Sequence, residues 1–144
     1  RQPDNLIKNS GETTYLGGNV YNSDGTSQTK AQLVRSGQGA TFYIMIQNDG
    51  STTDSFTVKG NGSSTGFAVT YYLGTSGSTD ITAAITAGSY TVGNLAPATS
   101  QIIRAVVTAA RGTAVGTVKD SLVTSASAAD TSKRDAVKAR VTVK

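Results

Sequence analysis

Residues 39–48 read GATFYIMIQN, and their alternation constrains the fold more than any other stretch of the chain. Successive side chains of a strand point to opposite faces, so Phe42, Ile44 and Ile46 share one face while Tyr43, Met45 and Gln47 share the other. Both faces carry apolar weight. That predicts a central strand, buried on one side and partly covered on the other, in a protein built of packed sheets.

The segments that follow repeat the pattern. Asn48-Asp49-Gly50-Ser51 supplies turn chemistry, and TTDSFTVKG then resumes the alternation with Phe56 and Val58 on one face, so residues 39–60 read as two antiparallel strands joined by a short loop. Lys59 through Gly66 is too rich in Gly and Ser to hold a ladder. FAVTYYLG groups Phe67, Val69 and Tyr71, and TSGSTDIT is a turn region leading to DITAAIT. Asn94 to Ser100 reads as a crossing between sheets, because Pro97 has no N–H to give a ladder. After it, QIIRAVVTAA sets Ile103, Ala105 and Val107 on one side and Ile102, Arg104 and Val106 on the other. VGTVKDSLVTSAS and DAVKARVTVK close the chain, the first dominated by β-branched residues and interrupted by Gly116, which argues against helix.

Composition agrees with an all-β chain. There are 144 residues, enough for one domain with a core, of which only 15% are charged; glycine contributes 16, and glutamate and methionine occur once each, as Glu12 and Met45. Aromatic residues are mainly tyrosine, so the core must come mostly from Val, Ile, Leu and Ala. About seven strands from residue 28 onward, at spacings of roughly 10 to 15 residues, predict an Ig-like Greek-key β-sandwich; a barrel or jelly roll fits the same spacing. The Cys and Trp markers of true immunoglobulin domains are missing, so the expectation is one of architecture. Residues 1–27 form an extended N-terminal arm or linker, and residues 28–144 the sandwich domain. A chain that starts at Arg1 fits either the removal of a leader or a repeat cut from a longer polypeptide.

The chain contains no cysteine and no histidine. Disulfides, thiol catalysis and thiolate metal sites are excluded together with the commonest general base and metal ligand. Ser27 to Lys30 matches SxxK but lacks companion motifs and lies at a strand edge, so the expectation is a chain that is not an enzyme, with no catalytic residue, cofactor or metal. Asp24, Asp49, Asp54 and Asp80 sit in or beside turns without the D-x-D-x-D spacing of a calcium loop, and turn capping is their expected role. A net charge of +4 is dispersed. Lys138, Arg140 and Lys144 share one face of the last strand opposite Val137, Ala139, Val141 and Val143, which is the pattern of a solvated face and not of a nucleic-acid platform. No run is apolar enough for membrane insertion.

Together, YIMIQNDGSTTDSFTV, FAVTYYLG, DITAAIT, YTVGNLAPATSQIIRAVVT and DSLVTSASAADTSKRDAVKA resemble the Ig-like repeat modules of large bacterial surface and secreted proteins. Asn48, Gly50 and Phe56 match their strand-turn-strand element, and Leu95, Ala96 and Pro97 their crossing, with Ala98 where glycine is more usual. The resemblance implies spacers, adhesive stalks and assembly units, and transfers no catalytic residue.

Three functional candidates follow. In the arm, Leu6, Ile7, Tyr15, Leu16, Val20 and Tyr21 need something to bury them, either the arm's own sandwich or a neighbouring subunit that accepts the arm as a strand. Strand donation gives the leading expectation: an extracellular, self-associating structural protein of a cell-surface fibre, sheath or stalk, whose partners are copies of itself or neighbouring repeats. Tyr43 and Tyr72 are candidate glycan contacts, which gives the alternative of an accessory module that binds surface polysaccharide; a viral decoration protein is a third reading. Asn61-Gly62-Ser63 is a candidate glycosylation sequon.

Overall fold

A computed structural model describes residues 1–144. Nine strands and one short helix follow the order β1 (Pro3–Asn9), β2 (Thr29–Val34), β3 (Gly39–Asn48), β4 (Asp54–Gly60), β5 (Phe67–Leu73), α1 (Thr82–Ala87), β6 (Tyr90–Leu95), β7 (Ser100–Ala109), β8 (Val118–Ser127) and β9 (Arg134–Val143). They form two sheets, a four-stranded sheet A in the order β1-β3-β7-β5 and a five-stranded sheet B in the order β2-β9-β8-β4-β6. All neighbours are antiparallel except β2 and β9, which run parallel.

Alternation explains how the layers close. Phe42, Ile44, Ile46, Ile103, Ala105, Val107, Val69 and Tyr71 of sheet A meet Phe56, Val58, Val92, Val123, Val137 and Val141 of sheet B in one core. On the far side of β3, Tyr43, Met45 and Gln47 are half-buried, as their alternation predicts. Adjacent Tyr71 and Tyr72 divide as strand geometry demands, Tyr71 inward and Tyr72 outward.

Two sequence expectations are corrected. Residues 39–60 do not form a hairpin: β3 lies in sheet A and β4 in sheet B, and the intervening loop crosses the end of the sandwich. Buried Asn48 turns that corner, its Nδ2 donating to the Thr52 carbonyl (2.9 Å) and the Leu95 carbonyl (2.8 Å). Turn chemistry reports that the chain bends, not which sheet it enters next. The second correction is the strand count, eight from β2 onward where about seven were expected.

Within and just after DITAAIT, Thr82–Ala87 form α1, which closes one side of the sandwich. Asp80 Oδ1 accepts the Thr82 N–H at its start, and Gly88 ends it in the left-handed region at φ 74°. Ala96 to Thr99 do cross from sheet B to sheet A, and Ala98 adopts a φ of 62°, the backbone geometry that glycine reaches without cost.

The arm packs within its own chain. β1 pairs with β3 from Pro3↔Asn48 to Asn9↔Phe42 and forms one edge of sheet A, with Ile7 fully buried. The opposite edge, β5, has its outward N–H groups occupied: Val69 donates to Ser63 Oγ, Tyr71 to Thr82 Oγ1 and Leu73 to the Thr79 carbonyl. Arg1 lies against Gly50, with Nε 3.9 Å from Asp54, at the pole where β1, β4 and β9 begin. At the other pole Lys144 donates its N–H to the Val34 carbonyl (2.8 Å). The two ends of the chain therefore lie at opposite poles of the sandwich. No helix is long and apolar enough to cross a membrane.

Candidate functional site

The outer face of sheet A carries the most organised surface chemistry. Register places Lys8 of β1 beside Tyr43 of β3, Tyr43 beside Arg104 of β7, and Arg104 beside Tyr72 of β5, so one row crosses all four strands. Directly opposed residues on a sheet face are neighbours about 5 Å apart. Tyr15, from the loop after β1, extends the row: the Lys8 ammonium lies 4.9 Å from the Tyr15 ring centre and 5.5 Å from that of Tyr43. At the far end the Arg104 guanidinium stacks 4.8 Å from the Tyr72 ring. Aromatic rings and cations thus alternate across the face in the order Tyr15, Lys8, Tyr43, Arg104, Tyr72.

The two cations are held differently. Arg104 donates through Nη1 to the Gly74 carbonyl (3.1 Å) and through Nη2 to the Gly77 carbonyl, so it also pins the loop after β5. Lys8 has no acceptor in the chain, and neither the Tyr15 nor the Tyr43 hydroxyl has a protein partner; the ion pairs lie elsewhere, at Arg1–Asp54, Lys30–Glu12 and Arg140–Asp120. A cation over an aromatic face gains roughly 0.5–1 kcal/mol at an exposed site. The row is an organised, net positive surface with aromatic faces and free donors.

Both glycan candidates, Tyr43 and Tyr72, fall in this row on alternate strands of one sheet. Tyr90 does not, because it sits on β6, where its hydroxyl accepts from Gln101 Nε2 (2.6 Å). The arm candidates scatter. Ile7 joins the core, Leu6 and Tyr15 lie half-buried near the row, and Val20 is half-buried; Leu16 and Tyr21 are exposed, Leu16 bridging to Ile7. Exposed Asn61 follows β4, and its Oδ1 accepts the Leu122 N–H (2.8 Å).

Sequence reasoning missed Lys8 and Arg104 as members of the row. Each reads alone as a dispersed charge on a strand, and only the pairing of β1, β7 and β5 with β3 aligns them.

A second cluster is internal. The Asp135 carboxylate, fully buried at the start of β9, accepts the N–H groups of Asn5 (2.6 Å) and Asn22 (3.0 Å) and the Gln28 side-chain amide (2.7 Å). It ties β1 and the loop of residues 10–28 to sheet B. Nearby, buried Asp4 accepts the Asn19 N–H through Oδ2 (2.9 Å), while its Oδ1 has no partner. Burial pushes the Asp4 carboxyl up to about 7, the neighbouring Asp49 adding to the rise against the Asn19 hydrogen bond. Burial raises Asp135 as well, against the hydrogen bonds it accepts. Burial and the hydrogen bond to Asp49 push Tyr21 up to about 12.

No concave pocket opens on the surface, and no group of three or more carboxylates is placed to hold a metal ion. Asp24 and Asp80 cap turns by accepting the N–H groups of Thr26 and Thr82.

No protein-family model and no curated protein matches the chain. Among solved structures, the chain is similar to the VesB protease of Vibrio cholerae at 14% identity and a TM-score of 0.47, over 80% of this chain and 30% of that one. It is also similar to a family 123 glycoside hydrolase from Clostridium perfringens at 10% identity and a TM-score of 0.43, over 81% of this chain and 23% of that one. The chain spans less than a third of either neighbour, and both likenesses are too distant to carry an argument.

Proposed function

We propose that the chain is an extracellular structural module, an Ig-like Greek-key sandwich that serves as a repeat or self-associating subunit of a cell-surface fibre, sheath or stalk. The observation that carries this reading is the position of the ends, Arg1 beside Gly50 and Lys144 beside Val34, at opposite poles. Modules joined end to end through such termini extend along one axis, each adding about 30 Å from its ten-residue strands. Crossings between sheets after every strand from β1 to β7, with β8 and β9 alone following each other in one sheet, support the Greek-key arrangement. The weakly charged surface rich in Thr, Ser and Gly supports an extracellular setting. Because β1 is already engaged in its own sheet, the series arrangement has no need of strand donation.

Three copies joined Lys144 to Arg1 test the reading by small-angle scattering and electron microscopy. A rod whose length grows by a constant step per copy is expected. A compact particle, with the copies folded against one another, overturns it.

A further inference from the structure

We propose that the outer face of sheet A binds an acidic polysaccharide, with sugar rings stacked on Tyr43 and Tyr72 and an anionic substituent held by Lys8 and the Tyr15 and Tyr43 hydroxyls. This goes beyond the structural role and does not depend on it.

Three observations converge. The first is the alternation of rings and cations along one row, fixed by the register of four strands. Tyr43 and Tyr72 stand two strand spacings apart, about 10 Å, roughly the length of a disaccharide. The second is the group of donors at Lys8. Its ammonium sits between the Tyr15 and Tyr43 rings without any acceptor from the chain, and both phenols are free. A carboxylate or sulfate there gains charge-assisted hydrogen bonds that the protein does not itself supply. The third is shape: the row runs across the outer face of a four-stranded sheet, a surface on which a polymer can lie.

The same face argues against other occupants. The large apolar side chains that are exposed, Leu16, Tyr21, Leu33, Leu73, Val115 and Val118, lie off the row. Two cations are too few to track a nucleic-acid backbone. The neighbouring row of Thr41, Val106 and Thr70 adds no charge.

Isothermal titration of the purified chain with polygalacturonate, dextran sulfate, neutral dextran and oligo-dT, at two salt concentrations, tests the site. Saturable binding to at least one acidic polymer is expected, with neutral dextran silent; which polymer binds identifies carboxylate or sulfate as the anion. Lys8→Gln and Tyr72→Ala should each weaken binding about tenfold, while Arg140→Gln on the opposite sheet leaves it unchanged. Tyr72→Phe should retain binding, because it keeps the stacking ring. Circular dichroism checks that each variant is folded. The proposal is overturned if neither acidic polymer binds, if neutral dextran binds as well, or if binding is insensitive to Lys8→Gln and Tyr72→Ala. Binding of oligo-dT in preference to both acidic polymers, lost in Tyr72→Ala, also overturns it, in favour of nucleic acid.

Discussion

Asp135 Oδ2 accepts the backbone N–H of Asn5 at 2.6 Å, joining residues 130 positions apart and tying the first strand to the last. Together with the bonds from Asn22 and Gln28, this carboxylate fastens the whole N-terminal segment to the sandwich. Replacing Asp135 by Ala leaves those buried donors without an acceptor. A loss of about 3–5 kcal/mol in urea unfolding is expected, against a smaller loss for Asp135→Asn, which keeps one acceptor oxygen.

The arm offers a sharper contrast. If residues 1–27 were a mere linker, their deletion would leave a folded monomer. Ile7 is fully buried and β1 supplies a full edge of sheet A, so the truncated chain is expected to lose its cooperative thermal transition. The milder change Ile7→Ala should cost about 2–5 kcal/mol. An unchanged melting temperature in both variants contradicts the packing described.

Asp4 makes stability depend on pH in an unusual direction. Its carboxyl is raised from 3.8 to about 7 in the folded chain, so the native state holds a proton that the unfolded chain has released. Its contribution is fully present below about pH 4 and is lost as pH rises through about 7. Asp135, also raised, acts in the same sense, whereas Asp24, Asp80, Asp120 and Asp130, all lowered, act in the opposite one. The difference between Asp4→Asn and the parent isolates the effect. The variant should gain stability relative to the parent as pH rises from 4 to 8, measured by urea midpoints; a flat difference rejects the assignment.

Gly60 is held small by its neighbours. A Cβ there would lie 2.5 Å from Tyr71 Oη and 2.8 Å from Ile85 Cγ2, and Tyr71 is anchored by donating to the Asn61 carbonyl (2.7 Å). Gly60→Ala is expected to lower stability by about 1–3 kcal/mol. Adding Tyr71→Phe to it should recover part of that loss by removing the nearest clashing atom.

Much of the layer structure was legible because alternation reports burial strand by strand. Phe42, Ile44 and Ile46 face the core as GATFYIMIQN dictates, and so do Val137, Ala139, Val141 and Val143 at the other end. Pairing between strands was not legible. Asn48 to Ser51 carries the residues of a tight turn whether the chain returns in the same sheet or crosses to the other. For the same reason the candidate site was half visible: Tyr43 and Tyr72 could be named from their residue type, but Lys8 and Arg104 join them only through register. Asp135 gave no signal either, since it follows the polar run TSKR and reads as solvent-exposed until β1 is laid beside it.

The placement of the ends has a mechanical consequence. β1 starts at the pole where the chain begins, and β9 finishes at the pole where it ends. Tension between Arg1 and Lys144 therefore slides β1 lengthwise along β3, loading the bonds from Pro3↔Asn48 to Asn9↔Phe42 together, while β9 is gripped on both flanks by β2 and β8. Bonds in shear must fail at once; bonds peeled from one end fail in turn. Pulled by its termini in a force spectrometer, the sandwich should give way in one abrupt step at higher force than when it is pulled through residues 3 and 48, where β1 unzips from its neighbour.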